Sequence, residues 1–206
     1  MRSSTKLISA AAAIAALLIG NRTSAQSFDV GTNAINLGLG LGTNYSYITG
    51  TGNYSVSPAF VFAYDRGVTQ LGPGVLAIGG VVAFQTVKYD YTYTSFNYRY
   101  DYDRRWSNTL IGARGTWHWN EWHGNDKLDL YAGVLAGYNI GTYTSKTTRT
   151  YNGVTSTYDD GYNASSSFFR HGLFAGCRYL FSQRFGVYGE VGYGIANLNA
   201  GLTFKF

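Results

Sequence analysis

From residue 33 onward the chain alternates. One residue is apolar, the next is small or polar, and the pattern recurs without any apolar run long enough for a membrane-spanning helix. Ile35, Leu37, Leu39 and Leu41 are separated by Asn36, Gly38 and Gly40. Leu130, Ala132, Val134, Ala136 and Tyr138 stand against Asp129, Tyr131, Gly133 and Gly137. Leu173, Ala175, Cys177, Tyr179 and Phe181 face Gly172, Gly176 and Arg178 across the pleat. A side-chain period of two is the signature of a β-strand with two unlike faces. Eight such strands are expected, over 33–43, 57–65, 74–88, 105–119, 128–141, 166–181, 186–196 and 198–206.

The polar face decides the architecture. In a soluble sandwich it would be a water-facing skin of Lys and Glu, yet charged residues make up 13% of the chain, about half the usual share. Glycine, of which there are 27, supplies much of that face instead. Small inward residues and bulky outward ones describe an inverted barrel, with the apolar face against lipid and the glycine-rich face filling a narrow interior. A closed ring also satisfies every backbone group without water. The expected fold is therefore all-β: an eight-stranded antiparallel up-and-down transmembrane β-barrel over residues 33–206.

The first residues read as a leader. Arg2 and Lys6 precede the uncharged, Ala-rich run Leu7 to Gly20, and Thr23 and Ala25 form a small-residue cleavage pattern before Gln26. Residues 1–25 are the expected signal peptide and 26–32 a short N-terminal segment. Loss of Arg2, Lys6 and Arg22 leaves 13 Lys and Arg against 11 acids, so the formal charge falls from +5 to +2. A basic nucleic-acid footprint is thus unsupported. One cysteine excludes an internal disulfide and any multi-cysteine metal site.

Charge placement gives a sharper expectation. Asp29 is N-terminal, nine other acids fall in expected loops, turns or strand ends, and Glu190 alone lies mid-strand. Arg114 and Arg178 are its mid-strand counterparts, and by parity all three point inward. With a turn centred on Arg184, Arg178 falls opposite Glu190. The expected interior cluster is an Arg178–Glu190 pair completed by Arg114. Loops 43–56, 89–104 and 142–165 are long, while 65–73, 120–127 and 182–185 are short, as outer loops and periplasmic turns alternate. Trp117, Trp119 and Trp122 at the turn end match an interfacial girdle.

The leader, the eight alternating segments and the terminal Leu202-Thr203-Phe204-Lys205-Phe206 resemble small bacterial outer-membrane β-barrels of the OmpA/OmpX-like class, the outer membrane protein β-barrel domain group. Gly176-Cys177-Arg178-Tyr179-Leu180-Phe181 resembles a strand common in that group. The resemblance implies a cell outer-membrane location, contact with outer-membrane lipid, and a monomer. It also implies an assembly signal at Leu202, Phe204 and Phe206 read by the barrel assembly machinery.

Catalytic chemistry is not expected. His171 is followed by Gly172, Leu173 and Phe174 rather than the His-x-Ser-Asn of lipid A deacylase barrels, and 26–32 is too short for the helix of a palmitoyltransferase-like barrel. No Gly-x-Ser-x-Gly elbow is present, and His118 and His123 lack metal-ligand spacing, so neither metal nor cofactor is expected. Eight strands leave an interior just filled by side chains, which makes a porin-like small-solute channel the runner-up to a structural or surface-interaction role. The one unusual surface feature is tyrosine. Tyr89, Tyr91, Tyr93, Tyr98, Tyr100 and Tyr102 interleave with Asp90, Asp101, Asp103, Arg99, Arg104 and Arg105. Their alternation points to a hairpin continuing past the membrane. It serves either as cross-strand reinforcement or as a contact surface for an extracellular protein or glycan.

Overall fold

The computed structural model describes residues 28–45, 52–119, 124–159 and 164–206. Ten strands run in chain order: β1 (Asn33–Leu41), β2 (Asn53–Val56), β3 (Ala59–Leu71), β4 (Gly74–Ser95), β5 (Tyr98–His118), β6 (Leu128–Tyr151), β7 (Val154–Asp159), β8 (Ala164–Leu180), β9 (Phe185–Gly192) and β10 (Leu198–Lys205). All pairings are antiparallel, and eight of the strands close a ring in the order β1-β3-β4-β5-β6-β8-β9-β10. First and last strands meet over eight residue pairs, from Ala34↔Lys205 to Leu41↔Leu198. The short strands β2 and β7 add to β4 and β6 outside the ring. This is a closed up-and-down barrel of the outer-membrane type, with no free edge along the ring.

The alternation holds around the ring. Leu37, Phe60, Ile78, Val82, Ile111, Val134, Leu173, Val191 and Leu202 point outward and are exposed, whereas Ala63, Val81, Leu110, Leu135, Arg114, Arg178 and Glu190 point inward and are buried. Inward glycines let strongly coiled strands approach. Gly112 and Gly137 oppose each other across β5 and β6, and a Cβ at Gly112 would lie 2.8 Å from the Ala136 carbonyl oxygen. A methyl group there would push the two strands apart.

Several strands outrun their expected ends. β3 continues to Leu71 before a tight turn at Gly72-Pro73, which places Asp65 inside the strand rather than at its end. The hairpin β4–β5 extends to Ser95 and Tyr98, as the tyrosine alternation foretold. The expected loop 142–165 is largely strand instead: β6 runs to Tyr151, turns at Asn152-Gly153 and returns as β7. Both turn residues have positive φ, 46° and 79°, the mirror-type two-residue turn that Asn-Gly favours. At the other extreme β9 stops at Gly192, short of the expected 196, and Ile195 folds into the barrel rather than facing outward with Val191. At about 3.3 Å per residue the 22 residues of β4 span roughly 70 Å, about twice what a tilted crossing needs. The surplus stands clear as a projecting sheet built from β2, β4, β5, β6 and β7.

Candidate functional site

Near the chain-terminal end, five ring strands contribute charges to one buried cluster. Asp65 (β3) sits between two guanidiniums, 2.9 Å from Arg114 Nε and in contact with Arg178 Nη2. Arg178 Nη1 lies 2.9 Å from Asp129 Oδ2, and its Nε donates to Asn36 Oδ1 at 3.2 Å. Arg114 Nη2 and the Tyr131 hydroxyl both donate to Glu190 Oε1, at 2.7 and 2.8 Å. His118 Nδ1 is 2.8 Å from Asp129 Oδ1, while its Nε2 lies 3.0 Å from Thr116 Oγ1. Aromatic faces complete the enclosure. Arg114 lies over Phe174 at 4.3 Å, Arg178 over Tyr131 at 4.5 Å, and Phe28 stacks on the His118 ring at 3.7 Å. Phe28, from the segment before β1, is itself buried. Charge buried this deeply is tolerated because each group is paired and hydrogen-bonded.

Arg114, Arg178 and Glu190 are all brought into this cluster, but the expected Arg178–Glu190 pair is not formed. Arg178 stands opposite Tyr188, and Glu190 opposite Gly176. The turn is centred one residue earlier than Arg184: the N–H groups of Phe181 and Ser182 donate to the Phe185 carbonyl, and Ser182 Oγ accepts from the Phe185 N–H. A one-residue change in turn centre shifts the register by two. Glu190 then pairs with Arg114, and Arg178 is neutralised by Asp65 and Asp129. Sequence reasoning passed over those two carboxylates because they sat at expected strand ends. Their parity with the inward residues Ala63 and Tyr131 was the available signal.

Above the cluster the interior turns apolar, with Val61, Val81, Leu110, Leu135 and Ile195 packed together beside Phe174. A cavity of about 40 Å³ lies between this layer and Arg114 and Glu190, room for little more than a water molecule. The outer mouth is closed by chain folded inward. Asn44 Nδ2 donates to the carbonyls of Gly194 and Ala196, both at 3.2 Å. Arg170 donates to the carbonyls of Gly194 and Asn44 at 3.0 and 3.1 Å and lies 4.6 Å over the Tyr45 ring. Below Tyr45 its hydroxyl donates to Asn139, which in turn donates to Asn108. Among the described residues, side chains and inward-folded chain thus occupy the interior from Phe28 to Tyr45.

On the projecting sheet the inward parity continues as tyrosine. Tyr91 faces Tyr102 and Tyr93 faces Tyr100 across β4 and β5, with ring centroids 6.0 and 6.4 Å apart. Tyr98 stacks on Tyr151 of β6 at 4.4 Å, and Arg149 lies 5.9 Å over Tyr158. Tyr89 is the exception: it is buried, its hydroxyl accepting from the Gly52 N–H at 3.1 Å. The opposite face carries Lys88, Asp90, Thr92, Arg99, Asp101 and Arg105. There Asp101 accepts from Thr92, and Arg99 pairs with it at 3.0 Å; those contacts hold the Asp101 carboxyl below its ordinary value. Phe96, at the hairpin tip, is fully exposed with a φ of 50°.

Other expected residues fall elsewhere. Leu202 and Phe206 point outward, and Phe204 packs between Phe185 and Phe206 at 4.9 and 5.6 Å. Trp117 and Trp119 sit 5.1 Å apart at the turn end. Trp122 and His123 lie outside the described residues. His171 faces outward on β8, away from every polar cluster, and Cys177 is likewise exposed.

No protein-family model and no curated protein matches this chain. Among solved structures it is similar to Ail, the attachment invasion locus protein of Yersinia pestis, at 13% identity, with 86% of this chain and 99% of that one covered and a TM-score of 0.35. A second structure of Ail, in complex with the heparin analogue sucrose octasulfate, matches with the same identity and coverage and a TM-score of 0.39.

Proposed function

We propose that the chain is an integral protein of the bacterial outer membrane, exported by a leader over residues 1–25, with a sealed interior and no catalytic centre. Its role is structural or one of surface contact. The observation that carries this reading is the inversion of faces. Leucine, isoleucine, valine and phenylalanine form the exposed belt, while Asp65, Arg114, Asp129, Arg178 and Glu190 are buried along the axis. In water that belt would be an aggregation surface; in hydrocarbon it is the required one. The aromatic C-terminal residues Leu202, Phe204 and Phe206 serve as the signal for the assembly machinery, and the protein acts as a monomer.

The surface that meets a partner is the inner face of the projecting sheet. Tyrosine supplies broad contact area at little entropic cost and arginine supplies charge, the pairing enriched where proteins recognise proteins or glycans. A porin-like role is disfavoured by the Phe28 plug, the ion-pair cluster, the apolar layer and the folded-in mouth, which lie in series along the axis. Planar-bilayer recording of the refolded protein tests the point. Silence at moderate voltage is expected, and a steady conductance overturns the sealed interior. Retarded gel mobility on boiling checks, independently, that the barrel has folded.

A further inference from the structure

On the outward face, just where the apolar belt ends, Lys88 of β4 and Arg105 of β5 stand directly opposite each other. Like charges placed so on neighbouring strands repel, and strands ordinarily avoid the arrangement. Their other cross-strand neighbours are the uncharged Ser55 and Thr144. Both cations are exposed, and neither makes an ion pair among the described residues. Reach is not the obstacle. Arg99, on the same strand and face, pairs at 3.0 Å with Asp101 two residues on, whereas Arg105 makes no such contact with Asp103.

Depth supplies the second observation. Outward residues of β5 run from Trp117 through Ala113 and Ile111 to Thr109 and Ser107, then reach Arg105. At about 3.3 Å per residue and a tilt of about 40°, the 12 steps from Trp117 to Arg105 climb roughly 30 Å, against roughly 25 Å for the apolar band of such barrels. Lys88 and Arg105 therefore stand a few ångströms beyond the hydrocarbon, at headgroup level. The acids Asp90 and Asp103 lie one row further out.

We infer that Lys88 and Arg105 form a site for the phosphate of an anionic lipid in the surrounding leaflet. One phosphate oxygen set accepts from the ammonium and the guanidinium together, which removes the repulsion between them and anchors the barrel's depth and rotation. The inference rests on the membrane reading above, but it can fail while that reading stands.

The test uses the refolded full barrel in phosphatidylcholine vesicles carrying a minority of spin-labelled phosphatidic acid, with labelled phosphatidylcholine as reference. Near an anionic surface each cation contributes about fivefold, so a preference of roughly 25-fold for the phosphate lipid at the strongest boundary site is expected. Lys88→Gln with Arg105→Gln should abolish most of it, while Lys146→Gln, whose cross-strand neighbour is Asp103, should leave it within about twofold. Equal lipid preference in the double variant and the parent overturns the site. So does competition by millimolar inorganic phosphate, which would mark a free-anion site. Protease protection in the same vesicles reports insertion: a barrel that fails to insert refutes the membrane reading itself, and one that inserts without selectivity refutes only the lipid site.

Discussion

β5 and β6 each pass through two environments without breaking the alternation. Within the ring their inward faces carry Arg114, Thr116, Asp129 and Tyr131, buried and linked through Glu190 and His118; on the projecting sheet the same parity carries Tyr98, Tyr100, Arg149 and Tyr151, exposed or half-buried. The lower half answers to desolvation. A charge there must find its partner inside the barrel, so the set of residues is closed and interdependent. Above, water screens every group, and the face is free to vary in ways that alter what it touches rather than whether the protein folds.

That contrast is open to measurement. Its largest consequence is expected at Arg178. Arg178→Met leaves Asp65 and Asp129 buried without their shared cation and should cost about 3–5 kcal/mol, read as a lowered urea midpoint for the vesicle-reconstituted barrel. A neutral result would show the cluster to be hydrated, and the two halves alike.

Next in size is a charge placed on the outward belt. Leu173 is 68% exposed at mid-strand, and Leu173→Arg should destabilise the inserted barrel by about 2–4 kcal/mol. The same variant would gain solubility if that face met water.

The smallest effect belongs to the projecting sheet. Because Asp101 has its carboxyl lowered by Thr92 and Arg99, its contribution is present above the ordinary carboxylate range and is lost as the pH falls through the lowered value. Acidification should lower the amide protection factors, taken against the intrinsic exchange rate at each pH, around residues 92–101 and leave those of the ring strands unchanged. Protection that falls equally in both would erase the distinction between the halves.

Much of this architecture was legible in the chain. The number of ring strands, their parity and the inversion follow from the alternation itself, because a period of two allows each residue only two directions. The interior was legible as far as Arg114, Arg178 and Glu190 facing inward. The partners were not, for two physical reasons. Register depends on where a turn is centred, and the Ser182 hydroxyl accepting from the Phe185 N–H settles that through a side-chain contact no periodicity records. Strand length depends on what supports a strand beyond the belt. β3 extends because Thr69 to Leu71 continue to pair with Leu76 to Gly74 after a register shift, which draws Asp65 inside. The β6–β7 hairpin was missed with the expected loop 142–165, although Asn152-Gly153 is a turn signal whose meaning here depends on the strands that flank it. Phe28 carried no signal; its burial against His118 is a purely tertiary event.

The ion pairs also set an order of events. Asp65 belongs to the second ring strand from the N-terminus, yet Arg178 lies 113 positions later and Glu190 is separated from Arg114 by 76. Asp129 and Arg178 meet directly across β6 and β8, and Asp65 reaches Arg114 within β3–β5, but the Asp65–Arg178 and Arg114–Glu190 links need strands from both halves of the ring, and hydrocarbon is no place to wait. Insertion one hairpin at a time would leave those long-range links open in oil until the last strand arrived. Gathering all the strands before the ring is released spares every one of them that passage, so the location of five side chains favours a concerted birth of the barrel over a piecemeal one.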